Sequence, residues 1–281
     1  MKKMELNRNN YFSKEAEAAY MGSSSFKAWD ILHGGCEAKE LAKRNGEWED
    51  AENDAFLLGS YVHAWSEGNL QDFIVENPSL FTKKGTLYEK YAVGDKMIEV
   101  LRNDPLVERF REGAEKEKIF TGEIAGVPFK IQVDILNLEK GYFADIKTTK
   151  DISETYYNQE TKKRETFIDK YDYFAQMAIY SEILRQNIES GKLGMNSDEV
   201  YPHPYIIVVD KRKDAPDHEV IDMGTEWIQE KLEEIKGRLP RIMAVRNGAE
   251  EPIGCGKCDY CRSKKKAKII TMAEYVASLG L

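Results

Sequence analysis

The stretch that decides the fold is Gln132-Val133-Asp134-Ile135-Leu136-Asn137-Leu138-Glu139-Lys140-Gly141-Tyr142-Phe143-Ala144-Asp145-Ile146-Lys147-Thr148-Thr149. It reads as two strands, with Asn137 to Gly141 as the hairpin connection. Side chains alternate across a strand, so Asp145 and Lys147 share one face and Ile146 points away. A neighbouring strand can bring Asp134 onto that face. Two carboxylates and an ammonium would then converge, enough to hold a hard divalent cation and steady a nucleophilic water. Such a constellation suits phosphodiester hydrolysis.

The surrounding composition separates this reading from a solvated hairpin. Val133, Ile135, Phe143, Ala144 and Ile146 are apolar. Strands this apolar are expected to be buried, and ionised side chains there need partners.

Outward from the hairpin, secondary structure alternates along the chain. Ile119 to Lys147 reads as a three-stranded meander with a tight turn at Ile124-Ala125-Gly126. Ser23 to Ser25 are placed to cap a first helix. Helices are expected from about Ala55 to Glu67, within Leu87 to Gly113, and from about Asp172 to Leu184. Tyr205 to Val209 has the continuous apolar character of a buried strand, and Glu219 to Met223 continues as another. Ile228, Leu232, Ile235, Leu239 and Ile242 step by three and four, marking an amphipathic helix over Glu226 to Arg246 despite Pro240. Thr271 and Glu274 form a capping box for a last helix.

Two helical pairs stand out. Gly59, His63 and Glu67 lie four apart on one face, with Gly59 removing bulk beside His63 and Glu67 placed to accompany its ring. Gln176 and Tyr180 are also four apart. Of four cysteines, three form Cys255-Gly256-Lys257-Cys258-Asp259-Tyr260-Cys261, and Cys36 stands alone near the start. In a reducing compartment close spacing points to metal, and four thiolates fit tetrahedral Zn2+ or an iron–sulfur cluster. Cys-x2-Cys-x2-Cys is closer to cubane ligation.

The chain has 281 residues, 42% hydrophobic and 32% charged, with a formal net charge of -8. That balance argues against coating nucleic acid by bulk charge, while Arg262 to Lys268, Lys162 to Arg164 and Lys211 to Lys213 are local basic tracks. No apolar run has the length of a membrane span, and Met1 to Glu5 leads into polar sequence rather than a signal-peptide core. A cytoplasmic location without membrane association is expected. No Gly/Pro-rich linker divides the chain.

In order, Gly59-x3-His63, Asp134, Asp145-Ile146-Lys147 and Gln176-x3-Tyr180 resemble the motifs of the PD-(D/E)xK nuclease superfamily, in its RecB-like branch. Thr121 to Phe129, Asp145 to Thr149 and Cys255 to Cys261 look like the phage and prophage exonucleases of the exodeoxyribonuclease VIII (RecE) type. The resemblance spans roughly residues 20 to 265. It implies an α/β, restriction-endonuclease-like core, a small mixed β-sheet flanked by helices, in one domain over 1–281. Residues 1–115 would form a helical N-terminal part, 116–225 the catalytic core, and 226–281 the C-terminal helices with the cysteine cluster.

It further implies that Asp134, Asp145, His63 and the Ile146 carbonyl bind Mg2+ or Mn2+. Lys147 would hold the attacking water, and Gln176 and Tyr180 would position the DNA strand. The cysteines resemble the iron–sulfur staple of AddB and CRISPR-associated relatives, with Cys36, Cys255, Cys258 and Cys261 as ligands of a [4Fe–4S] cluster or, alternatively, Zn2+. This chain departs from them in the short gap between Cys258 and Cys261. The expected activity is a Mg2+-dependent exodeoxyribonuclease acting on linear duplex DNA with a free end, in phage-type recombination. A single-strand annealing protein and further copies of the chain are the partners this resemblance suggests. A site- or structure-specific endonuclease would share these residues; a non-catalytic DNA-binding accessory protein would have been expected to lose one of them.

Overall fold

The computed structural model describes residues 4–51, 54–158, 161–193 and 201–278. Residues 1–3, within the segment read above as lacking a signal-peptide core, lie outside them. The meander forms as expected: β1 (Glu115–Ile124), β2 (Val127–Asn137) and β3 (Tyr142–Thr149) are successive antiparallel neighbours. Ala125 and Gly126 both take positive φ, 48° and 78°, which gives the β1–β2 turn the twist a two-residue hairpin needs. The His203–Asp210 strand pairs parallel to β3, and the His218–Asp222 strand closes the sheet antiparallel to it.

A parallel return needs a crossover, and the Tyr173–Glu189 helix supplies it. One core lies between the sheet and this helix, the Ser23–Trp29 helix and the Ile228–Arg246 helix, and includes Phe129, Ile131, Val133, Phe143 and Ile179. The second lies on the opposite face, where Val62, Met97 and Leu101 from the Asp54–Glu67 and Val93–Asn103 helices meet Ile135, Ile146 and Ile207. With both faces covered, β2 and β3 are buried almost throughout, which explains their weak alternation. No helix among the described residues is long and apolar enough to cross a membrane.

Some boundaries differ from expectation. A Lys14–Ala19 helix precedes the one beginning at Ser23, whose cap is Gly22 with no side-chain hydrogen bond. Ser23 to Ser25 are therefore first-turn residues rather than caps. Between β3 and the crossover helix, Tyr156–Asn158 and Lys163–Glu165 pair as a small hairpin. Pro240 is accommodated inside its helix, and Thr271 caps the Met272–Ser278 helix through Glu274 as its spacing predicts.

Candidate active site

Register places the carboxylates. β1 and β2 pair Lys116 with Ile135 and Lys118 with Val133, so Glu117 lies opposite Asp134. β2 and β3 pair Ile135 with Ala144, and one step along that register sets Asp134 opposite Asp145. Three adjacent strands thus present Glu117, Asp134 and Asp145 as a row. Like charges directly opposite destabilise a sheet, so this row stores electrostatic tension. The backbone is distorted at the same point: Glu117 has φ 54°, and the inward phase of β2 changes around Asp134, with Val133 and Leu136 joining one core and Ile135 the other. Such irregularities cluster at functional sites, where they re-aim side chains.

The row is held from both sides. His63, on the Asp54–Glu67 helix, brings Nδ1 to 3.3 Å from Asp134 Oδ2. The same oxygen accepts the Ile146 N–H at 2.7 Å, and the Ile146 backbone also hydrogen-bonds the His63 ring. Asp145 Oδ1 accepts from Gln176 Nε2 at 2.5 Å, while Oδ2 is ion-paired with Lys147 Nζ and takes no well-aligned hydrogen bond. His63, Glu117 and Asp134 each offer one ligand atom within 4.8 Å of the others.

Burial and mutual repulsion set the protonation states. Glu117 is pushed up to about 9, by burial first and then by the Asp134 and Glu67 charges, with Arg8 opposing. Asp134 is raised well above the carboxylate range by burial and by Asp145. Burial, then Lys147, lowers His63 and keeps the imidazole neutral. For Lys147 burial works against the ammonium, but Asp145, Tyr173 and Asp134 outweigh it and hold the lysine protonated. A divalent cation would relieve the row: carboxylate oxygens suit a hard ion, and a neutral imidazole has a free lone pair. The donor set therefore fits Mg2+ or Mn2+.

Gln176 and Tyr180 occupy the predicted helix but are already engaged by protein groups. Gln176 fixes Asp145, and Tyr180 donates to the Gln132 carbonyl at 2.9 Å. Both are largely buried, and both still line the cleft that holds the carboxylate row. Gly59 also has a different reason from the one expected. A Cβ there would lie 3.3 Å from Thr148 Oγ1, so the glycine lets the His63 helix approach β3. Glu67 is engaged by Asn69 and lies 3.9 Å from Arg8; its charge still acts on the His63 ring, while Asp134 makes the close contact at 3.3 Å.

Sequence reasoning missed Glu117 and Lys130. Lys130 is buried in β2, its ammonium held by the Tyr11 carbonyl, by Glu17 at 2.7 Å and over the Tyr11 ring at 4.4 Å. It pins the N-terminal arm beside the site, making one wall of a cleft of about 1560 Å³. Arg8, Lys14, Lys43, Arg44 and Arg246 contribute to the lining, with the carboxylate row also in the cleft. Of the expected basic tracks, Arg212 is instead spent on Asp210 and Asp217.

The four cysteines converge as well. Cys36 Sγ lies 3.5 Å from Cys261 and 3.8 Å from Cys258, and Cys255 lies 4.0 Å from Cys261. Backbone N–H groups of Lys257 and Cys258 point at Cys255 Sγ at 3.4 and 3.3 Å, as around a metal-bound thiolate. Gly254 makes room, since a Cβ there would meet Cys261 Sγ at 3.2 Å. Thiolates about 2.3 Å from one tetrahedral ion sit roughly 3.8 Å apart. A cubane, with a separate iron for each thiolate, holds them farther apart. These residues thus fit a single ion better than a cluster. A third group, Asp30, His33 and Asp172, already has cationic partners: Arg238 lies 2.8 Å from Asp30, and Lys231 lies 3.8 Å from Asp172.

Residues 22–264 match the family model described as a PDDEXK-like domain of unknown function (DUF3799). The chain is also similar to a crystal structure described as a "putative exonuclease" from Eubacterium rectale, at 30% identity and a TM-score of 0.84, covering 98% of this chain and 99% of that one. No curated protein matches.

Proposed function

We propose that this chain, which belongs to the PDDEXK-like domain family (DUF3799) and has its nuclease fold, is a divalent-cation-dependent exodeoxyribonuclease. The observation that carries the reading is the row Glu117, Asp134 and Asp145 beside a protonated Lys147. Asp134, Asp145, His63 and the Ile146 carbonyl would hold Mg2+ or Mn2+, with Glu117 as a further carboxylate. When bound, that cation supplies Lewis acidity and a lowered pKa for a water.

The side chains divide the remaining work. Lys147 faces the reacting phosphate, and its ammonium steadies negative charge as it develops on the phosphoryl oxygens. Being protonated, it acts as an electrostatic stabiliser, not as the base. Gln176 fixes the Asp145 carboxylate through Oδ1 and Tyr180 fixes β2, so the donors are set before substrate arrives. Basic side chains lining the cleft would contact phosphates, which position a strand without reading its sequence. The "putative exonuclease" relative supports end-dependent action, and the phage-type resemblance supports a role in recombination beside an annealing protein.

The cysteine centre serves the fold. Cys36 and the Cys255–Cys261 segment lie at opposite ends of the matched region, and one Zn2+ would clasp them together. For the activity, labelled linear duplex and covalently closed plasmid are incubated with Mg2+ or with chelator. Cation-dependent loss of linear DNA with the closed circle spared is expected. Linearisation of the plasmid at discrete sites with linear DNA spared would replace the proposal with an endonuclease.

A further inference from the structure

The Lys147 ammonium that pairs with Asp145 also lies against an aromatic ring, and beyond it aromatic rings alternate with cations. Its Nζ lies 4.9 Å from the centroid of Tyr173, and Lys27 Nζ lies at the same distance from that ring. Lys27 also donates to the Tyr171 carbonyl at 2.9 Å. Tyr171 continues the series, its ring 5.9 Å from Tyr173 and inclined by 36°. Lys170 Nζ lies 5.5 Å from the Tyr171 ring and 3.4 Å from that of Tyr156, where the small hairpin begins.

This strip is open where a ligand would need it. Tyr171 is 44% exposed, and Lys170 is exposed beside it. Glu154, just before the hairpin, is occupied by Lys150 at 3.4 Å and by the Tyr156 hydroxyl at 3.2 Å, and the hairpin's own Glu165, opposite Tyr156, accepts from Asn158 Nδ2 at 2.6 Å. An exposed Tyr171 ring with the exposed Lys170 ammonium beside it, reached from Lys147 through the half-buried Tyr173, matches what a single strand offers, a base face and a phosphate.

We propose that Tyr173, Tyr171, Lys170 and Tyr156 form a track for single-stranded DNA running from the scissile phosphate to the hairpin. Bases stack on Tyr171, and Lys170 and Lys27 take phosphates. The proposal rests on the nuclease reading, and it assigns the strip to the unpaired strand rather than to duplex.

The test is binding of a fluorescein-labelled 12-mer of thymidylate to the full chain in chelator, followed by anisotropy across a salt series. Tyr171→Ala is expected to weaken binding roughly tenfold, within the range of one base–aromatic stack, and Tyr171→Trp to restore it. Lys170→Gln should reduce the slope of log affinity against log salt by about 0.7, the loss of one single-strand phosphate contact. The same 12-mer annealed to its complement should be affected less. Affinity and slope unchanged in both variants would overturn the track. So would an equal loss on duplex, or a Tyr171→Ala defect that Tyr171→Trp does not repair. If Tyr171→Ala does not fold, the Lys170→Gln slope decides alone. Since chelator prevents cleavage, a chain that never cut DNA would defeat the proposed function while leaving this measurement intact.

Discussion

Glu117→Gln should stabilise the metal-free protein and weaken its response to metal. Glu117 titrates at about 9 in the fold against an ordinary 4.5, so between those values the folded state binds more protons than the unfolded one. Stability contributed by such a group is lost as pH rises through that window. At about pH 7.5 the gap of about three pH units sets a ceiling of roughly 4 kcal/mol on the cost. Sharing the repulsion with Asp134, and partial access to the cleft, reduce the expected value to about 2 kcal/mol. For a chain of this size that is a rise in Tm of about 4 °C in chelator. The wild-type protein should lose Tm steadily from about pH 5 to 9, and the variant should lose less. Mn2+ should raise the wild-type Tm strongly at alkaline pH, where a cation replaces the held proton, and raise the variant's much less. The assay is thermal unfolding with and without Mn2+ across that pH range. A variant less stable than wild type in chelator at pH 8, or one with an undiminished Mn2+ response, would refute the reasoning.

Lys147→Met should lower kcat by about two to three orders of magnitude, the scale of losing a charge aimed at developing anionic oxygens, with the Mn2+-induced Tm rise retained. Single-turnover cleavage beside thermal unfolding checks both halves. Elemental analysis of anaerobically purified protein should find near-stoichiometric zinc and little iron. Cys258→Ser should lose that metal and several degrees of Tm; iron at four per chain would instead establish the cluster. Lys130→Met should cost about 1–2 kcal/mol in urea unfolding, since Glu17 and the Tyr11 carbonyl lose a charged donor. Limited proteolysis should then cut the arm near Tyr11 first.

Much of this was legible because turn chemistry and alternation are local. Ile124-Ala125-Gly126 fixes the first hairpin, and Asp134, Asp145 and Lys147 then fall on adjacent strands where their spacing puts them. Gln176 and Tyr180 were recognisable as a pair, but not as groups bonded to Asp145 and Gln132, because those partners lie 31 and 48 residues away. Glu117 was hidden in Glu115-Lys116-Glu117-Lys118, an alternation of charge that reads as a solvated face. The signal was present all the same: Glu117 and Asp134 are equidistant from the Ala125–Gly126 turn. Lys130 could not be foreseen, since nothing local indicates that Tyr11 and Glu17 fold over it. Cys36 entered the ligand set only through the cysteine count and the resemblance, since nothing local ties it to residues more than 200 positions away, whereas the Cys255–Cys261 spacing declared itself.

The most direct measurement of the central claim compares wild type with Asp145→Asn on end-labelled linear duplex in Mg2+. Each is read for cleavage and, in parallel, for DNA binding. Asn keeps the size of the side chain but removes the charge that pairs with Lys147 and would help bind the cation. The account predicts cleavage by wild type only, with binding by the variant preserved or strengthened through reduced repulsion of phosphate. Cleavage by Asp145→Asn at a rate near wild type would contradict it.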